Sequence, residues 1–174
     1  TAAHTGATIL VGASTREVAD EVKRIAEDAC GALQQAVRTG LVGGGGAVEL
    51  AAALRLEGIR SGRRGMAAYG MDCVIQALKK PISQMAANAG FNPLAVLESA
   101  AAAQREQDSA FLGVNCDSGE VADMRAMGVM DPAGVKVSAL GTAAEVAQAI
   151  LRIGAIVRMK DAGAALGGEA ERTE

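Results

Sequence analysis

Apolar residues recur in steps of three and four along most of this chain, and that spacing commits it to helices. From about Arg16 to Thr39 the residues Val18, Val22, Ile25, Ala29, Ala32 or Leu33, and Val37 fall on one face. Ser14 or Thr15 can cap the start of this helix, and Gly40 can close its end. The run AVELAAALRL, beginning at Ala47, predicts a second helix, and EGIRSGRRG after it reads as a loop. A third helix is expected from about Met66 to Asn88, with Val74, Leu78, Ile82 and Met85 on one face and Pro81 kinking or dividing it. Asn92–Pro93 opens a fourth, PLAVLESAAAAQREQ. The last is expected from Pro132 or Ala133 to about Arg158, with Leu140, Ala143, Ala147, Ile150 and Leu151 on its face.

The side chains available narrow how these helices pack. Half of the 174 residues are apolar, but there is no Trp, one Tyr and only two Phe. The core must therefore be built from Ala, Val, Leu, Ile and Met, which favours helices in close approach through small side chains.

Two segments break the helical period. ATILVG, residues 7 to 12, reads as a short strand. Nothing inside the chain is an obvious partner for Ile9 to Val11, and a lone strand is not stable in water, so a partner upstream is expected. In FLGVNCDSGEVADM, short apolar runs flank Asp117–Ser118–Gly119, the signature of a hairpin. The fold class that results is mainly α: a multihelical domain with one small β-hairpin and one N-terminal strand. The tail from Asp161, rich in Gly, Ala and Glu, is expected to be disordered.

Charge and cysteine usage exclude several functions. The net charge is −3, and the one basic cluster, Arg60, Arg63 and Arg64, reads as a solvated loop rather than a nucleic-acid stripe. Cys30, Cys73 and Cys116 are far apart, without a CxxC pair, and His4 alone cannot complete a metal cluster with them. Buried thiols in a reducing compartment fit this pattern. No signal peptide and no apolar run of membrane length occur, so a cytoplasmic protein without a membrane partner is expected. The chain starts at Thr1 rather than Met, which suggests a larger polypeptide.

Three features carry candidate chemistry. The run Gly43–Gly44–Gly45–Gly46 ahead of a helix exposes backbone N–H groups and the positive end of the helix dipole, which favours an anion. No Lys–Ser/Thr pair follows, so it is not a Walker A loop, and taken by itself the run is better read as a tight interhelix turn. Asp28 lies roughly 60° from Ile25 on the helical wheel, at the edge of the apolar stripe. It is either a solvated boundary charge or a group aimed into a cleft. Asn115 on the hairpin and Asp131 before Pro132 fit turn chemistry. They also fit a purine edge and a ribose diol, since an amide both donates and accepts and a carboxylate accepts two hydroxyl hydrogens. A Ser–His–Asp arrangement is excluded, because no Ser sits in a nucleophile elbow.

Taken in order, these features resemble the chaperonin family. EDACGALQQAVRTGLVGGGGAVEL resembles the chaperonin helix that carries a catalytic aspartate into a glycine turn. GVNCDSG resembles the adenine-binding hairpin, and GVMDPAGVK followed by a helix ending in ILRI resembles the ribose-binding aspartate and terminal helix. ALKKPISQMAANAGFNP looks like the family's core helix pair with its internal proline. The likeness runs in register from about Thr8 to Lys160, with only the EGIRSGRRG loop altered. AANAGFNP is closer to the archaeal, thermosome type, whereas Asp131–Pro132 looks bacterial. A bacterial relative of the archaeal kind, of group II or III type with a built-in lid, would account for both.

The resemblance implies an ATP-dependent folding chaperone. Asp28 matches the residue that orients or activates the attacking water. Gly45, supported by Gly44, matches the turn lying against the nucleotide; Asn115 and the backbone of Cys116 match the adenine contacts, and Asp131 the ribose contact. Cys116 and Asp117 replace two small residues common in bacterial chaperonins, which would place an extra carboxylate near the ribose. Residues 1–39 would belong to the intermediate, hinge-like domain, 40–160 to the C-terminal half of the equatorial ATP-binding domain, and 161–174 to the tail. The implied partners are other subunits of a double ring and unfolded clients, and the implied cofactors are ATP and Mg²⁺. The glycine–aspartate–threonine loop that binds phosphates and Mg²⁺ in chaperonins is not in this sequence, nor is an apical domain. This stretch alone is therefore expected not to hydrolyse ATP. Two other readings compete: a stand-alone, non-hydrolysing helical interaction module derived from a chaperonin, and a glycine-loop phosphotransferase, which lacks its lysine and metal ligands.

Overall fold

The computed structural model describes residues 6–154. Helix α1, Arg16–Thr39, is capped by the Thr15 hydroxyl, which accepts the Val18 N–H, and ends at Gly40 with φ +82°. Strand β1 (Leu41–Gly43) leads through the glycine turn into α2 (Ala47–Arg60), followed by α3 (Met66–Asn88) and α4 (Pro93–Gln107). The short strands β2 (Leu112–Val114), β3 (Val121–Asp123) and β4 (Met130–Pro132) precede α5 (Ala133–Leu151). The fold is mainly helical with two small antiparallel sheets, β1 with β4 and β2 with β3.

The core lies where α2, α3 and α4 meet the end of β2. Leu50, Ile82, Ala86, Val96, Ala100, Ala101 and Val114 form one buried cluster, and Ala53, Ile75 and Leu78 a smaller one. Three of the first seven are alanines, which lets the helix backbones come close, as the lack of aromatics requires. The Gln104 amide fastens α4 to its neighbours by donating to the carbonyls of Ala47 (2.9 Å) and Leu112 (2.7 Å). Glu57 on α2 accepts from Lys79 on α3 (2.6 Å) and Arg105 on α4 (3.0 Å). The Lys79 hydrogen bond, against burial and helped by Arg105, holds the Glu57 carboxyl below its usual value.

Several local expectations are corrected. Helix α2 runs to Arg60, past the expected loop start, because the Arg60 guanidinium grips both Asp72 oxygens on α3 at 2.7 and 2.8 Å. Helix α3 stays continuous through Pro81, whose side chain is exposed. Residues 6–13 form no strand; Ile9 and Leu10 are exposed and have no strand to pair with among the described residues. Pairing of Leu41–Gly43 with Met130–Pro132 was not legible as a sheet, since three residues a side leave no alternating pattern to read. The thiols are not buried: Cys30 is half-buried, Cys73 and Cys116 exposed.

Helix α1 carries the expected apolar stripe, yet none of its residues is buried, and Ile25, Leu33 and Val37 are exposed. It is joined to the rest at its C-terminal end, where Ala133 N–H donates to the Gly40 carbonyl and Gly134 N–H to the Thr39 hydroxyl, both at 3.0 Å. By its contacts the chain divides into units Thr1–Val137 and Ser138–Glu174. In the second, residues 138–151 continue α5 and every described residue is exposed. Helix α5 ends at Leu151, short of the expected Arg158, with Arg152 in a turn; residues 155–158 and the tail from Asp161 lie outside the described residues.

Candidate functional site

The glycine turn is the point on which the candidate residues converge. Gly44 N–H donates to the Val129 carbonyl (3.0 Å), and Val114 N–H donates to the Gly45 carbonyl (3.1 Å). One turn thus holds both the end of β2 and the residue leading into β4. Glycine is needed here for space as well as for conformation. At Gly45, φ is +57° and an added Cβ would lie 2.6 Å from Met124 Sδ and 3.0 Å from the Val114 carbonyl oxygen. A Cβ on Gly44 would lie 2.9 Å from Val129 Cγ1.

Asn115 follows Val114 directly, at the mouth of the β2–β3 hairpin. Its side-chain oxygen accepts the Asp117 N–H at 2.9 Å, and its backbone carbonyl accepts the Gly119 N–H at 2.8 Å. The carbonyl end of the amide is thus engaged in shaping the turn, while its NH₂ has no partner among the described residues. Cys116 and Asp117 are exposed at the hairpin tip.

Asp131 stands on β4 opposite Val42 of β1, two residues beyond Val129. Its side chain is 40% exposed, and one oxygen, Oδ2, lies 2.9 Å from Lys136 Nζ. Lys136 reaches Glu49 Oε1 as well, at 2.7 Å, and the Glu49 side chain is only 10% exposed. The second Glu49 oxygen is buried without a partner among the described residues. Burial alone would lower the Lys136 pKa, but Asp131 and Glu49 outweigh it and raise the value above normal.

Glu49 and Lys136 were not singled out from the sequence. The one available hint is a carboxylate two residues into an otherwise apolar run, AVELAAAL, where a helix buries Ala47, Leu50 and Ala53. Such a charge needs a partner, and nothing local identifies Lys136, 87 residues on.

Asp28 is placed elsewhere. It lies eleven residues before Thr39, a rise of about 16 Å along α1. Its side chain is 73% exposed and pairs with Arg24 Nη1 at 3.6 Å. Gly44, Gly45, Asn115, Cys116 and Asp131 are therefore gathered within two residues of one turn and its hydrogen-bonded neighbours, and Asp28 is not among them.

A helical core whose glycine turn binds a hairpin on one side and an aspartate-bearing strand on the other defines a recognisable class. The model of the TCP-1/cpn60 chaperonin family matches residues 1–161, and the chain belongs to that family. It is 36% identical over 165 residues to thermosome subunit beta of Methanothermobacter thermautotrophicus, covering 94% of this chain and 30% of the relative. Against thermosome subunit beta of Archaeoglobus fulgidus it is 38% identical over 165 residues, with the same coverage. The chain thus spans about 30% of the length of these curated relatives. Among solved structures, a group III chaperonin in the open state superposes with a TM-score of 0.82 at 42% identity, over 86% of this chain and 30% of that one. An open-state group II chaperonin monomer from Methanococcoides burtonii gives 0.70 at 30% identity, over 80% and 35%.

Proposed function

We propose that these residues form part of an ATP-driven chaperonin ring subunit, carrying the adenine and ribose side of its nucleotide site and the aspartate of hydrolysis. The observation that carries this reading is the glycine turn hydrogen-bonded to both Val129 and Val114, which gathers Asn115, Cys116 and Asp131 at one place. Asn115 NH₂ and the Cys116 backbone would meet the purine edge, and Asp131 would accept ribose hydroxyls. Gly44 and Gly45 would let the nucleotide approach the backbone closely.

Asp28 would orient or deprotonate the attacking water. It stands apart from the turn here, and both solved relatives described above are in the open state. Closure about the joint between residues 1–39 and 40–160, the hinge and equatorial portions, would bring it to the phosphates and couple hydrolysis to movement. Among the described residues, no group of three His, Cys, Asp or Glu is placed to hold a metal ion. Glu49 and Asp131 are both engaged by Lys136. These residues do not fit a Mg²⁺ site by themselves; the phosphates and Mg²⁺ would be held by another part of the subunit. The partners are other subunits of a closed double ring and non-native clients in the cytoplasm. No described helix is long and apolar enough to cross a membrane.

The test is ATP turnover by the full-length subunit and its Asp28→Ala variant. The variant should retain nucleotide binding and lose at least about 100-fold in kcat, the scale of a positioned general base. Unchanged turnover would remove Asp28 from the mechanism, and a full-length protein that binds no ATP would favour the non-hydrolysing interaction module.

A further inference from the structure

The carboxylate of Asp131 is not a free rotor. The β1–β4 register fixes its backbone, and Lys136 fixes one of its two oxygens. Lys136 in turn is held by Glu49, which is nearly buried at the first turn of α2, directly after the glycine turn. A Glu49–Lys136 pair alone would already be neutral. Asp131 adds a second carboxylate to the same ammonium, so the cluster carries one excess negative charge at its exposed end. Asp131 Oδ1 has no partner among the described residues, and that end is open to a ligand.

We propose that Lys136, anchored by Glu49, is a positioning residue for nucleotide recognition: it holds Asp131 by Oδ2 so that Oδ1 is presented to the ribose hydroxyls. The inference rests on reading Asp131 as the ribose contact. Charge-assisted hydrogen bonds depend strongly on geometry, so a carboxylate held by one oxygen discriminates between a diol and its deoxy analogue better than one that rotates freely. Glu49 also ties this arrangement to the helix that begins at the glycine turn, so the ribose grip and the turn are built as one unit.

The experiment compares dissociation constants for ATP and 2′,3′-dideoxy-ATP in the full-length subunit. The reading is the ratio of the two, which a general loss of structure does not change. Lys136→Met should reduce the ratio about tenfold, the scale of one hydrogen bond to a charged group, by weakening ATP while the dideoxy analogue stays within about twofold. If Lys136→Met does not fold because Glu49 is left buried and unpaired, the double variant Glu49→Gln with Lys136→Met removes both charges and should show the same reduced ratio. Asp131→Ala is measured alongside. A collapsed ratio in Asp131→Ala but an unchanged one in the Lys136 variants would overturn the role of Lys136 and leave the ribose reading standing. An unchanged ratio in Asp131→Ala would overturn the ribose reading, and the inference with it. Equal weakening of both nucleotides in the Lys136 variants would show a structural role only.

Discussion

At Gly45 two demands fall on one residue: a left-handed backbone, and space that an added Cβ would take at 2.6 Å from Met124 Sδ and 3.0 Å from the Val114 carbonyl oxygen, so that these neighbours would have to shift. Gly45→Ala should therefore destabilise the protein by about 2–3 kcal/mol, combining the left-handed penalty with overpacking. Gly58 lies inside α2 with nothing within 4 Å of an added Cβ, so Gly58→Ala should stabilise by about 0.5–1 kcal/mol. Urea melts of the two variants against the parent check both signs. At this scale the sequence made the glycine run and Asp131 visible as candidates, because turn residues and lone carboxylates stand out from a helical pattern. The Glu49–Lys136–Asp131 cluster was not visible. Glu49 joins Asp131 and Lys136 only when β4 pairs with β1, a contact between residues about ninety positions apart that leaves no local periodicity.

Among the elements, the helices were legible nearly to the residue where caps mark them. Thr15 and Gly40 bound α1, and Asn92 accepts the N–H groups of Leu94 and Ala95 at the start of α4. Boundaries set by tertiary contact were not legible: the last turn of α2 persists because Arg60 meets Asp72 across the α2–α3 gap. The Glu57–Lys79–Arg105 cluster that joins α2, α3 and α4 gives a pH prediction. The folded pKa of Glu57 is lowered from 4.5, chiefly by Lys79, so its contribution is fully present above that value and is lost as pH falls through the lower folded value. Glu57→Gln should be less stable than the parent at neutral pH, and the gap should close on acidification below about 4.5. Thermal melts of both proteins across pH 3 to 7, roughly the range over which carboxylates titrate, would show this; a gap independent of pH would mean that Glu57 contributes only through packing.

On the scale of the whole molecule, the order of motifs carried more than any motif alone, since a glycine turn, a hairpin and an aspartate in register over most of the chain point to one family. What the sequence could not show is that the apolar stripe of α1 lies uncovered here, because periodicity reports which face is apolar and not what covers it. Because no glycine–aspartate–threonine loop occurs in this sequence, the 174-residue chain by itself should show no ATP turnover above background, and measurable turnover would contradict the division of the site proposed above.

Among the described residues, α1 is hydrogen-bonded to the rest of the fold only at its C-terminal end, which has a mechanical consequence. A helix of 24 residues is a stiff rod about 36 Å long, and this one is fastened near Thr39 and Gly40. Turning it by about 20° at that pivot would sweep Asp28, about 16 Å out, through an arc of about 6 Å. The opposite end of the rod would travel about twice as far. The same geometry works in reverse, so a small displacement gripped at Asp28 would be magnified at the far end of the rod, with the Gly40 linkage as fulcrum.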